Sequence, residues 1–166
     1  MSTPQDLTAT NSAIANANVA AVDDFLCALR DKDLDIAADL LDDDIVYENV
    51  GFSRIRGARR VMKVFAAMNH PALGFDVRIH RSATDGDTVM NERTDLLRFG
   101  PVQLTFWICG VFEVHDGKIT LWRDAFDFVD VMRGNLRGLA AMVLPSLAPK
   151  APTGRDDAPG RGRLFR

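Results

Sequence analysis

Between residues 75 and 128 the chain is interrupted three times by short turn signals, Asp85-Gly86, Gly100-Pro101 and Asp116-Gly117. An Asp-Gly pair tolerates the positive φ of a tight hairpin, and Gly-Pro ends a strand because proline offers no N–H to a neighbour. The runs between these signals alternate apolar and polar. Phe75, Val77 and Ile79 share one face of the first, and in the third Leu104, Phe106 and Ile108 oppose Thr105, Trp107 and Cys109. Residues 75–82, 88–99, 102–114 and 118–128 are therefore expected as strands, each antiparallel to the next because hairpins join them.

What precedes this block has a different period. Val19, Val22, Phe25, Leu26 and Leu29 recur at helical spacing over residues 18–30, and Ile36, Ala37, Leu40 and Leu41 mark a shorter helix over 34–41. Asp42-Asp43-Asp44 reads as an acidic turn, residues 45–50 as a strand, and 51–57 as a loop carrying Arg54 and Arg56. A third helix runs from Ala58 toward Asn69 on a stripe of Val61, Val64, Phe65 and Met68, and Pro71 ends it. Asp130 opens a C-terminal apolar helix through Leu144, stopped by Pro145. Helices segregated from an antiparallel sheet make the fold α+β. The expected shape is a strongly curved, mostly antiparallel sheet forming a cone, with the N-terminal helices on its concave side. Residues 1–15 are expected as a flexible tail, 16–147 as one catalytic domain, and the Pro/Gly/Arg-rich residues 148–166 as a disordered basic tail.

Composition excludes several classes of function. At 166 residues the chain holds one domain with a core. Its net charge of −3 gives no global pull toward nucleic acid, and the Arg59, Arg60, Lys63 cluster has no interleaved aromatics. No run of about 18 apolar residues suggests a membrane anchor, and the N-terminus lacks the pattern of a secretory signal. Cys27 and Cys109 lie in apolar patterns, which suits free thiols in a reducing cytoplasm. His70, His80 and His115 stand apart without metal-ligand spacing, so neither metal nor cofactor is expected.

Three strands each offer a polar pair two residues apart, hence on one face: Tyr47 with Asn49, Arg93 with Asp95, and Trp122 with Asp124. If the faces converge, Arg93 can hydrogen-bond both Asp95 and Asp124. Two carboxyls sharing one cation in a cavity do not titrate alike: one stays ionised and one holds its proton. That places a base and an acid in one site, with no nucleophile. Addition of water to a strained epoxide fits such a pair, since water must lose a proton while the ring oxygen gains one. Strand parity and the helix stripes put Leu26, Leu29, Leu97, Phe106, Ile108 and Phe126 on the walls beside Trp122, so the substrate is expected to be apolar.

Tyr47-Glu48-Asn49, Glu92-Arg93-Thr94-Asp95 and Trp122-Arg123-Asp124, in this order and spacing, resemble the limonene-1,2-epoxide hydrolase family. The resemblance covers roughly residues 19–139, including Gly110-Val111-Phe112 and the turn at Gly117-Lys118-Ile119. It implies the curved sheet of the nuclear-transport-factor-like superfamily, a homodimer, and one-step hydrolysis without a covalent intermediate. It further implies Asp124 as the base on water, Tyr47 and Asn49 as its helpers, Asp95 as the acid, Arg93 as the bridge, and Trp122 beside them. Ala125 departs from the bulkier aromatic that the resemblance leads one to expect, but parity turns it away from the site.

Two other readings of the residues remain open. A steroid isomerase or polyketide cyclase on the same scaffold would move a proton at carbon with one carboxylate. A binding module would use the polar set as an ion-pair network, since a scaffold alone does not specify function. An α/β-hydrolase is excluded by chain length and by the lack of a nucleophile elbow.

Overall fold

The computed structural model describes residues 4–67, 70–127 and 146. The expected C-terminal helix at 130–144 and the basic tail at 148–166 lie outside the described residues, as do Met68 and Asn69. In chain order the elements are α1 (Pro4–Asp31), α2 (Leu34–Asp39), β1 (Leu41–Asn49), β2 (Ile55–Arg56), α3 (Ala58–Ala66), β3 (Leu73–Asp85), β4 (Thr88–Phe99), β5 (Val102–His115) and β6 (Lys118–Phe126). The strands form one sheet in the order β2-β1-β6-β5-β4-β3. All neighbours are antiparallel except β1 and β6.

The three hairpin signals do their expected work. Asp116 and Gly117 both take positive φ between β5 and β6, Gly86 does so between β3 and β4, and Gly100 between β4 and β5. The long strands do not run straight: the register shifts at Ile79/Arg81 and again at Glu113/Val114. Such bulges bend a strand and increase its twist, and the sheet curls around its inner face. α1 packs there through Val22, Phe25, Leu26 and Leu29, all buried, and meets Ala37, Ile45, Val61, Phe65 and Trp122 in one core.

Several expectations need correction. α1 begins at Pro4, not near Asn18. Residues 11–17 are mostly exposed, so no core selected an apolar period there; the repeated alanines, the best helix formers, carry that part of the helix instead. From Asn11 to Asp31 the helix is apolar and long enough to cross a membrane by length and composition, and 33% of its apolar window is buried inside the fold. In α2 Ile36 is exposed, and Leu41 is the first buried residue of β1. Asp42-Asp43-Asp44 is not a turn. It is extended chain inside β1, in the irregular stretch where the register against β6 jumps between Leu41 and Val46. Asp42 Oδ1 accepts a hydrogen bond from the Asp44 N–H at 2.9 Å, a local bond that stabilises this irregular stretch. In α3 Val61 and Phe65 are buried, four residues apart, whereas Val64 is 45% exposed.

Candidate active site

Register decides which polar groups meet. Asn49 stands beside Asp124 across β1 and β6, and Tyr47 beside Trp122. Asp124 stands opposite Gly110 on β5, and Gly110 opposite Asn91 on β4. Asn49, Asp124, Gly110 and Asn91 thus form one row across the inner face, with Arg93 two residues along β4. The parallel pairing of β1 with β6 brings the Tyr47–Asn49 pair level with the Trp122–Asp124 pair.

Arg93 is the centre of the set and is fully buried, 0% exposed. Its Nε donates to Asp95 Oδ1 at 3.1 Å, and its Nη2 donates to Asp124 Oδ2 at 2.6 Å. The third edge of the guanidinium donates through Nη1 to Asn91 Oδ1 at 3.0 Å. A buried guanidinium without counter-charges would be prohibitively costly, and here the two carboxyls raise its already high pKa against the opposing effect of burial. Asp95 behaves differently from an ordinary aspartic acid. Burial pushes its pKa up to about 6, with Arg93 pulling downward and the charge of Asp124 adding to the rise. Asp124 Oδ1, the oxygen not held by Arg93, has no hydrogen-bond partner among the described residues. Tyr47 Oη accepts from Asn49 Nδ2 at 2.8 Å, which leaves its own O–H free to donate. Burial first, and then the Asp124 charge, pushes the Tyr47 phenol to about 12, so it stays protonated.

The site opens onto a cavity of about 350 Å³, within the size range of small-molecule sites. Tyr47, Asn49, Asp95, Trp122 and Asp124 line it, and Leu97, Phe106, Ile108 and Phe126 form walls as expected from parity. Leu26 and Leu29 do not line it. They are buried in the core on α1, where Phe25 backs Trp122 edge-on at 5.0 Å. A helical stripe shows that a residue faces inward, not whether it meets a neighbour or a void.

Sequence reasoning missed Phe52, Phe65, Phe75, Phe99 and Leu104 as walls. For Phe75, Phe99 and Leu104 a signal existed, since each shares the inward parity of its strand. Phe52 lies in a loop where no period operates; its ring faces Phe126 at 6.2 Å. Ala125 is exposed on the opposite face, as parity requires. Among the described residues no group of His, Cys, Asp and Glu side chains could hold a metal ion.

Comparison with known proteins agrees with this geometry. Residues 16–137 match the model of the limonene-1,2-epoxide hydrolase catalytic domain. The chain is 56% identical over 127 residues to the epoxide hydrolase EphG of Mycobacterium tuberculosis, covering 76% of this chain and 85% of that one. The solved structure of an LEH-like epoxide hydrolase from M. tuberculosis superposes with a TM-score of 0.79 at 52% identity, over 82% of this chain and 97% of that one. An NTF2-like protein from Cytophaga hutchinsonii shares the fold alone, with a TM-score of 0.57 at 20% identity over 66% and 89% of the two chains. With most of its length matched by the family model, and with the motifs carried by Tyr47, Arg93 and Asp124 assembled at one cavity, this chain belongs to the limonene-1,2-epoxide hydrolase family.

Proposed function

We propose that this epoxide hydrolase adds water to an apolar epoxide in one step, with Asp124 as general base and Asp95 as general acid. The observation that carries the reading is the fully buried Arg93 joined to both carboxyls, which line an otherwise largely apolar cavity. One cation between two carboxyls is balanced by one negative charge. The raised pKa of Asp95 supports reading it as the proton donor, which leaves the role of base to Asp124.

The atoms then balance without a covalent intermediate. Water bound at Asp124 Oδ1, aligned by the Asn49 and Tyr47 side chains, attacks an epoxide carbon while Asp124 takes its proton. The carbon–oxygen bond of the ring breaks, and the departing oxygen receives the proton of Asp95. The product is a vicinal diol. Return of one proton from Asp124 to Asp95 resets the pair, both carboxyls being held on the same guanidinium. Each of the two proton transfers is of a kind that contributes about 10²–10⁴-fold. Trp122 and the phenylalanine walls favour a bulky apolar body, of the terpenoid, sterol or fatty-chain type, over a small polar epoxide.

The decisive experiment is a single turnover of an apolar epoxide in heavy-oxygen water, with Asp124→Asn as the control. The expected result is label in the diol from the first turnover and an inactive control. Unlabelled diol in that turnover would show an enzyme-derived oxygen and end the direct-attack reading. The homodimer belongs to the same proposal, and a strictly monomeric mass at micromolar concentration would contradict it.

A further inference from the structure

Arg93 must do something awkward to reach both carboxyls. It stands on β4, Asp124 stands on β6, and β5 lies between them. Strands two apart in a sheet are separated by roughly 10 Å. The guanidinium therefore has to lie across the inner face of β5, where a side chain would ordinarily stand. The residue in that place is Gly110, opposite both Asn91 and Asp124. A Cβ built on it would overlap Arg93 Nη1 and come within 2.6 Å of Asn91 Oδ1. Gly110 has no positive φ to explain it, so its lack of a side chain serves this crossing.

The crossing alone does not set the angle of the guanidinium plane. Asp95 holds the near edge through Nε, and Asp124 holds the far edge through Nη2. Rotation about the line joining those bonds is stopped by Asn91 Oδ1 on Nη1. The amide oxygen, not the amide nitrogen, must face Arg93, because the reverse orientation would set donor against donor. In this orientation Asn91 Nδ2 is buried without a hydrogen-bond partner. An apolar residue would carry no such unpaired group, so packing alone does not account for asparagine here. Asn91 is also absent from the cavity lining, so it acts on the reaction through Arg93 and not through the substrate.

We propose that Asn91 is a positioning residue of this site: with the gap at Gly110, its side-chain oxygen fixes the Arg93 guanidinium across β5 so that Asp95 and Asp124 meet it together. The inference rests on the acid–base reading above. It requires the third acceptor to be neutral, since a third carboxylate would leave two negative charges on one cation.

The test compares Asn91→Leu, Asn91→Asp, Gly110→Ala and Asp124→Asn in full-length protein checked for folding by circular dichroism. For Asn91→Leu, kcat falls about 10- to 100-fold, the size expected for one charge-assisted hydrogen bond, while KM stays within about twofold. Loosening the cation's hold leaves Asp95 a weaker acid, so the alkaline limb of the pH–rate profile moves to higher pH. Asn91→Asp keeps an oxygen facing Nη1 but sets a third carboxylate on the one cation, so it does not recover kcat, and its optimum lies alkaline of the wild type because the added negative charge holds the proton on Asp95. Gly110→Ala falls further than Asn91→Leu, because it displaces the guanidinium itself. A folded Asn91→Leu protein with wild-type kcat and profile would overturn the inference. So would a loss that matches a smaller folded fraction with the profile unmoved. Turnover retained by Asp124→Asn would sink the acid–base reading and this inference with it. An inactive Asp124→Asn beside an unaffected Asn91→Leu would remove this inference alone.

Discussion

Asp95 and Asp124 carry the same functional group and share one guanidinium, yet the proposed roles require opposite protonation states. Burial does that work at Asp95, whose pKa is raised to about 6. An acid that must carry its proton loses activity as it ionises, so kcat/KM is expected to fall as pH rises through the region of 6. A steady-state pH profile checks this, and a rate flat from pH 5 to 8 would remove Asp95 as the acid. The same shift acts on stability. The unfolded chain releases the Asp95 proton near pH 4, and the folded chain releases it only near 6. Between those values the folded state holds the extra proton, so this residue's contribution falls with rising pH, by at most about 1.4 kcal/mol per unit, and is level above. Asp95→Asn mimics the protonated form and removes that slope. Denaturant melts of both proteins at pH 4, 5, 6 and 7 should diverge and then run parallel; parallel curves throughout would contradict the burial argument. At Arg93 the demand is for shape as well as charge. Arg93→Lys keeps the cation but cannot bond to Asp95, Asp124 and Asn91 in one plane, and kcat should fall by at least about 100-fold with the fold retained.

At the scale of elements, the site is held by what lies behind it. Trp122 touches Phe25 of α1 edge-on at 5.0 Å, Phe65 of α3 at 5.4 Å and Tyr47 of β1 at 4.3 Å. α1 is therefore the back wall of Trp122, two residues from the proposed base on β6. Phe25→Ala should cost about 3–5 kcal/mol and lower activity in the folded fraction, because the cavity it leaves lets Trp122 move. The outer part of the same helix should be far more tolerant. Ala13 is exposed, so Ala13→Gly should cost no more than about 1 kcal/mol and leave kcat/KM unchanged. Thermal melts and steady-state rates of the two variants make the comparison; equal effects would show that α1 is stabilised evenly along its length.

At the scale of the whole molecule, the curled sheet produces a cavity that no single element contains. Its walls come from β1, β3, β4, β5, β6, α3 and the loop after β1, and together they border about 350 Å³. A concave, mostly apolar space of that size with a few convergent polar groups is the form small-molecule sites take. Leu104 lines it well away in sequence from the carboxyls, and Leu104→Trp should fill part of it. Turnover of bulky epoxides is then expected to fall relative to small ones, with Asp95 and Asp124 untouched. An unchanged ratio of kcat/KM between a large and a small apolar epoxide would show that the substrate does not occupy this space.

The strands and their turns were legible because they depend on local chemistry: Gly86 and Gly117 permit the hairpins, and period-two alternation between them orients each side chain. The polar pairs were legible for the same reason, since residues two apart on a strand share a face whatever the strand packs on. The start of α1 was not, because an exposed helix has no apolar stripe to reveal it. Nor was the difference between Leu29, which meets α1's neighbours in the core, and Phe75, which meets the cavity, because both present only an inward apolar face in sequence. The place of Gly110 and Asn91 in the site also needed the tertiary structure. A glycine in a strand has no pattern of its own, and an asparagine two residues before Arg93 shows only that it shares Arg93's face. Only the β4–β5–β6 register shows that one residue makes way for the guanidinium and the other holds it, since contacts between strands are set by pairing across the sheet rather than by order along the chain.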